Sequence, residues 1–233
     1  MFSNRYIFIY SSIMVVIVAI ALALAAIQLK PFQENNKRVE KMQNILSSVN
    51  IETTVKNAEE LYKKYITATY VVNIKGEKID KINAFDIDLY YEFKKKAEDR
   101  HFPVYIAKLE SGDTAFVLAL RGKGLWGPIW GYMSFKTDMN TIIGAMFDHK
   151  GETPGLGAEI DTKIFQNQFQ NKTIYNENGK FTSIQTVKGG AKKDDMHGVD
   201  GISGGTITSK GLEKMLFDCL TDYQGFLTKN KNN

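Results

Sequence analysis

The sequence predicts an α+β fold, with one N-terminal transmembrane helix followed by a mainly antiparallel sheet domain and surrounding helices. Three observations carry this expectation. Tyr6 to Ile27 runs without a charged residue; as a helix of about 33 Å it would cross a hydrocarbon core of about 30 Å. Two pairs of apolar runs flank short polar turns, which is the pattern of β-hairpins. Helical periodicity brackets these strands and does not alternate with them as it would in a doubly wound sheet.

Residues 1–29 are expected to form the anchor. Tyr6 and Tyr10 suit the membrane interface, and Lys30 with Pro31 closes the apolar run. Ala21-Leu22-Ala23 and Ala23-Leu24-Ala25 resemble cleavage sites of a signal peptide. The apolar run is longer than a typical signal core, which favours a retained anchor. Arg5 precedes the span, whereas Lys30, Lys37, Arg38 and Lys41 follow it. Counting these charges puts the globular part in the cytoplasm, but long domains translocate largely regardless of local charge.

Residues 30–66 read as a helical stem. Val39, Met42, Ile45, Leu46 and Val49 recur at helical spacing, and Ala58 to Ile66 is rich in helix formers. Residues 67–228 form the expected domain. Thr67 to Ile74 is β-branched and aromatic and ends in the Lys75–Lys78 turn. Phe85 to Ala97 reads as a helix. Val104–Leu109 and Ala115–Leu120 flank Ser111-Gly112-Asp113-Thr114, and Ile129–Phe135 and Thr141–Asp148 flank Lys136–Asn140, giving two hairpins. A short helix over Lys163–Phe169 and a strand over Thr182–Val187 follow. A helix after residue 209 buries Leu212, Met215, Leu216, Cys219 and Leu220 on one face, with Thr208 or Ser209 as its cap and Glu213 in its first turn. Residues 229–233 are a polar tail.

Composition narrows the function. A net charge of +4 with no basic block disfavours nucleic acid as a partner. A single cysteine, Cys219, excludes an internal disulfide and a Cys-based metal centre. His101, His149 and His197 lack metal-ligand spacing, so no metal site is expected. No Ser lies in a G-x-S-x-G context, which disfavours a hydrolase.

Chemistry concentrates in four glycine-bearing loops: Gly122–Pro128, Gly151–Gly157, Lys188-Gly189-Gly190 and Asp200–Ser209. The fourth leads directly into the last long helix. Its small residues Ser203, Gly204 and Gly205 would admit a ligand close to the backbone. Free N–H groups and the helix dipole at that end favour a phosphate. The alternative reading of the same residues, favoured on the residues alone because helix capping is common, is an ordinary Gly-rich loop capping a helix. In the second loop, Glu152 and Thr153 read either as solvated turn residues or as part of a cradle for a flat ring, with Thr153 as a donor. Trp126 is either a core aromatic or a cover for a ring edge. Lys188 is either a solvated strand end or a cation beside a phosphate or reduced ring.

Two of these loops carry a family resemblance. Asp200-Gly201-Ile202-Ser203-Gly204-Gly205-Thr206 resembles the D-x-x-[ST]-G-[AG]-T flavinylation motif of FMN-binding domain proteins, and His149-Lys150-Gly151-Glu152-Thr153-Pro154-Gly155-Leu156-Gly157 resembles their H-x-G-E-T-P-G-L-G loop. Gly124-Leu125-Trp126-Gly127-Pro128-Ile129-Trp130-Gly131-Tyr132 is similar to the C subunits of the Na⁺-translocating NADH:quinone oxidoreductase family.

The resemblance implies that Thr206 carries FMN as a phosphoester, installed by a separate flavin transferase from FAD with Mg²⁺. It implies cofactor contacts at Asp200, Ser203, Gly204, Gly205, Thr208, Glu152, Thr153, Leu156, Gly157, Leu125, Trp126 and Lys188. It further implies a protein that passes electrons alongside other subunits of a membrane redox complex, in the bacterial inner membrane with the FMN domain on the periplasmic side. Gly205 stands where alanine is more usual and should add loop freedom. The equivalent flavoprotein subunit of a ferredoxin:NAD⁺ oxidoreductase complex shares these features, and an anchored binding module without redox activity is the reading from a different class. No G-x-G-x-x-G follows a strand, so NADH oxidation would fall to another subunit.

Overall fold

The computed structural model describes residues 3–231. The chain divides into two compact units, one ending at Lys41 and one beginning at Met42. The first is built from helix α1 (Asn4–Ser48), which continues into the second unit's first residues. Its most apolar window has a mean hydropathy of 2.8 and no buried residue, so the helix is long and apolar enough to cross a membrane. Pro31 ends the apolar run but not the helix, which continues through it.

The continuous helical stem expected up to Ile66 is interrupted. The Ile51 N–H bonds back to the Leu46 carbonyl at 3.0 Å and the Asn50 N–H to Ser47 at 3.0 Å, with Asn50 left-handed at φ 61°. This is a Schellman stop, which asparagine tolerates well. The chain resumes helical form only at α2 (Ala58–Tyr65).

The second unit is organised around a six-stranded antiparallel sheet. Its order is β2 (Lys78–Ile79), β1 (Ile66–Val72), β3 (Phe102–Lys108), β4 (Thr114–Lys123), β5 (Pro128–Phe135) and β6 (Ile142–His149). Both expected hairpins form. Lys108 pairs with Thr114 across a turn in which Gly112 has φ 87°. In the second hairpin, Asp138 Oδ1 accepts from the N–H groups of Asn140 and Thr141, an Asx-type turn. The α+β expectation, an apolar N-terminal helix ahead of a mainly antiparallel domain, is borne out.

Three local expectations are corrected. The helix read over Phe85–Ala97 is broken into a 3-10 turn at Ala84–Asp86 and the single-turn α3 (Leu89–Glu92). Asn83 and Asp88 each accept a backbone N–H two residues on, and these competing caps restart the chain before a longer helix can propagate. The strand expected from Thr182 starts only at Gln185. Thr182 and Ser183 both direct their N–H groups to the Ile174 carbonyl, and Ser183 sits at φ 59°. That strand, β7 (Gln185–Val187), pairs in parallel with β8 (Gly198–Asp200), a departure from the antiparallel rule. The last long helix, α5, spans Thr206–Asp222 and begins two or three residues before the expected cap, Thr208 or Ser209.

One face of α5 covers β4. Leu212, Leu216 and Leu220 are fully buried there, with Met215 and Cys219 beside them. Burial pushes the Cys219 thiol up to about 12, so it is a packing group and not a nucleophile. Below the end of β6, Phe147, Phe165 and Phe169 pack edge to face, the closest rings 5.0 Å apart. Phe165 belongs to α4 (Lys163–Gln166). The neighbouring Gln166 amide donates to the carbonyls of Phe147, Ile160 and Asp161, which fixes the chain that leaves β6. A last helix, α6 (Gln224–Asn230), buries Phe226 and Leu227.

Candidate functional site

Three chain reversals converge at one end of the sheet. The Gly124–Gly127 turn joins β4 to β5, closed by the Gly124 N–H on the Gly127 carbonyl at 2.8 Å. The loop after β6 runs alongside, with the Lys150 N–H on the Pro128 carbonyl at 3.1 Å. The third element is the start of α5, reached through Asp200 to Gly205.

Thr206 is the first residue of α5 and is exposed. Its helix has Gly205 as N-cap, with no side chain capping the end. The N–H groups of the first turn therefore have no intrahelical acceptor and face outward with the positive end of the helix dipole. The expectation that Thr208 or Ser209 caps the helix is corrected: both lie inside the first turn. Ser209 Oγ instead accepts from the Ile202 N–H at 3.1 Å, holding the preceding turn. Gly204 turns there at φ 73°, a conformation that favours glycine. Gly205 has an ordinary φ of −101°, so no conformational freedom is needed at that position; room is, since a Cβ would lie 2.8 Å from Ile202 Cγ2.

Two grooves open on either side of Thr206, and it lines both. The larger, about 480 Å³, is formed by the Lys188-Gly189-Gly190 turn, Asp200, Ser203, Gly204 and Lys210 among others. Asp200 is oriented by the Ala191 N–H on its Oδ1 at 2.7 Å. The smaller, about 230 Å³, lies between Leu125, Thr153, Leu156 and Ile207, with Glu152, Gly157 and Thr208 at its base. Its rim is apolar and open: Leu125 is 43% exposed, Leu156 40% and Ile207 61%.

Glu152, by contrast, is buried. Its Oε1 accepts from the Trp126 N–H at 2.8 Å and the Gly127 N–H at 3.3 Å, and its Oε2 from the Thr208 hydroxyl at 2.5 Å. Burial pushes its carboxyl up, but the bonds from Thr208 and from the Trp126, Gly127 and Leu125 backbone outweigh that and hold it below the ordinary carboxylate range. The Glu152 N–H donates to His149 Nδ1 at 3.1 Å. That bond makes Nδ1 the acceptor and leaves the neutral ring's proton on Nε2, which faces Asp161 Oδ2 at 3.5 Å.

The residues singled out in the sequence thus gather into one region, with different roles. Asp200, Ser203, Gly204, Thr206 and Lys188 line the larger groove; Leu125, Thr153, Leu156, Gly157, Gly205 and Thr208 line the smaller. Trp126 lines neither. Its backbone is tied to Glu152, yet the residue is 70% exposed. Glu213, expected in the first turn, sits a turn or more further on, where its Oε2 accepts from the Thr186 N–H and hydroxyl and from Lys210 Nζ.

Sequence reasoning missed Lys210, Ile207 and Gln168. Lys210 lies four residues after Thr206 and so shares its helix face, a signal that was available. Gln168 Oε1 accepts the Asp200 N–H at 2.8 Å, a long-range contact without local signature. Among the described residues, no group of His, Cys, Asp and Glu could hold a metal ion.

An anion-ready helix end between a groove that includes Lys188 and Lys210 and a smaller one rimmed by Leu125, Leu156 and Ile207 defines a domain suited to a phosphate-bearing cofactor with a flat ring. Comparison with known proteins agrees. Residues 124–221 match the FMN-binding domain model. The chain is 34% identical to the C subunit of the Na⁺-translocating NADH-quinone reductase of Haemophilus ducreyi, covering 81% of this chain and 79% of that protein. It is 32% identical to the corresponding C subunit of Vibrio vulnificus, covering 87% and 84%. Among solved structures, the C subunit from Parabacteroides distasonis superposes with a TM-score of 0.79 at 44% identity, over 86% of this chain and 97% of that one. NqrC of Shewanella oneidensis gives 0.73 at 26%, over 85% and 100%. The chain belongs to the family of C subunits of the Na⁺-translocating NADH-quinone reductase.

Proposed function

We propose that this chain is the membrane-anchored electron-carrier subunit of such a reductase, with FMN bonded through its phosphate to the Thr206 hydroxyl. The observation that carries the reading is the position of Thr206: an exposed hydroxyl on the first residue of a 17-residue helix, shared by two grooves. The first-turn N–H groups of α5, Lys188 and Lys210 offer donors and positive charge for a phosphate on the side of the larger groove. Leu125, Leu156 and Ile207 offer a slot for a flat ring on the other. A tether at Thr206 lets one molecule occupy both.

FMN, when bound, supplies the ability to take up and release electrons; the chain holds it, orients it and sets its surroundings. Exposed grooves suit a carrier that must approach donor and acceptor groups on other subunits. Asp200, Ser203 and Gly204 are exposed next to Thr206, where a flavin transferase would read them, with the buried Gly205 between them and the helix. Helix α1 would serve as a single-pass anchor, with the FMN domain on the outer, periplasmic side. NADH would be oxidised elsewhere in the complex.

The test is co-expression of the full chain with a flavin transferase, followed by in-gel flavin fluorescence after denaturation. Wild type and Thr206→Ser should fluoresce and Thr206→Val should not. Fluorescence retained in Thr206→Val would move the attachment elsewhere. A dark wild type beside an active transferase would remove the covalent-carrier reading in favour of an anchored binding module.

A further inference from the structure

The Glu152 carboxylate is held by two elements of the site at once. One oxygen holds the backbone of the β4–β5 turn through Trp126 and Gly127, and the other holds the first turn of α5 through the Thr208 hydroxyl. The residue itself sits on the third element, the loop after β6, and is oriented there by the bond to His149. It therefore joins the three walls of the smaller groove: Leu125 on the turn, Leu156 on its own loop and Ile207 on the helix. No other described side chain on one of these three elements bonds the other two.

The surrounding glycines fit this role. A Cβ on Gly124 would lie 2.6 Å from Glu152 Oε1, and one on Gly157 would lie 2.6 Å from Oε2 and also strike the Thr208 hydroxyl. Both positions leave the space a buried carboxylate needs to reach its donors. The charge is stabilised by donors rather than by a cation, so the clamp works without an ion pair.

We propose that Glu152 is a positioning residue for the flavin slot. It clamps the β4–β5 turn to the first turn of α5 and so fixes the separation of Leu125, Leu156 and Ile207, without itself contacting the ring; Thr208 is its partner in this and donates to Glu152, not to the cofactor. The proposal rests on the reading of Thr206 as the flavin tether, but the clamp itself exists without flavin.

That separation allows two independent readouts on the full chain in detergent. The first is hydrogen exchange of the 123–130 segment in protein made without transferase. Glu152→Ala should speed exchange there on the order of tenfold, because the Trp126 and Gly127 N–H groups lose their acceptor. Glu152→Gln should stay near wild type: its amide oxygen still accepts from both backbone groups, and its NH₂ meets the Thr208 oxygen. The second is the visible circular dichroism of flavin in transferase-treated protein. Denaturing gels should show flavin attached in wild type and both variants. The dichroism should collapse toward that of free FMN in Glu152→Ala and return in Glu152→Gln. If Glu152→Ala does not fold, Thr208→Val, isosteric and without the donor, takes its place for the dichroism, which should fall; exchange at 123–130 should stay near wild type there, because the Trp126 and Gly127 N–H groups keep Glu152 Oε1 as acceptor.

Wild-type exchange and dichroism in Glu152→Ala, or wild-type dichroism in its substitute, would overturn the proposal. So would a Glu152→Gln that behaves like Glu152→Ala, since charge and not geometry would then be the operative property. A wild type that acquires no flavin would defeat the carrier reading alone; the exchange experiment would still decide the clamp.

Discussion

Glu152 sets how the site should respond to acid. Its folded-state ionisation is depressed below the ordinary 4.5, because the donors that face it outweigh its burial. A carboxylate with a depressed value contributes stability that is fully present above its unfolded value and is lost as pH falls through the folded value. The Glu152 contribution should therefore be constant above about pH 5 and fall away below about 4.5, with Glu213, depressed in the same direction, adding to the slope, and Asp148 and Asp222, whose burial raises them, working against it. Glu152→Gln should flatten this loss, measured as the urea midpoint across the acid range; an unchanged slope would place the titrating group elsewhere. Lys188 bears on the opposite property. Placed beside the same groove as Thr206, its charge would favour the reduced, anionic cofactor, and Lys188→Ala should lower the flavin potential in a spectroelectrochemical titration. The functional residues are legible in the sequence as motif positions. Their division of labour is not: the motifs mark Glu152 and Thr208 alike as cofactor contacts, whereas each satisfies the other across 56 residues of chain, a pairing only the folded chain creates.

At the scale of elements, α5 ties the site to the core. Its far end packs Leu212, Leu216 and Leu220 on β4, and its near end presents Thr206. Leu216→Ala should cost about 2–5 kcal/mol through lost burial and the cavity left behind, seen as a lower urea midpoint of the full chain in detergent. A cost well below that would mean the helix is held mainly elsewhere. Gly157→Ala should destabilise by about 1–3 kcal/mol by overpacking against Glu152 and Thr208. The hairpins are legible because Ser111-Gly112-Asp113 and Asp138-Met139-Asn140 carry turn chemistry within a few residues. The stop at Asn50 and the paired caps at Asn83 and Asp88 are also written locally but are masked by the helical periodicity around them. The parallel β7–β8 pair has no such signal. Three residues per strand leave no period to read, and the pairing depends on contacts made by distant loops.

For the whole molecule, the apolar run marks a span but not its direction, because the flanking charges point one way and family resemblance the other. The proposed outer location of the domain predicts that Ser111→Cys, on the exposed β3–β4 turn, is labelled by a membrane-impermeant maleimide in intact cells. Cys219 is buried and its thiol is pushed up to about 12, so it gives little background in the folded chain. Labelling only after lysis would put the domain in the cytoplasm. The central claim is nonetheless the attachment at Thr206. Its most direct measurement is the intact mass of the full chain co-expressed with a flavin transferase, followed by mass mapping of the modified peptide. The wild-type chain should gain one FMN less one water, located on Thr206 and absent from Thr206→Ala. An unmodified wild type, or the same gain persisting in Thr206→Ala, would contradict it.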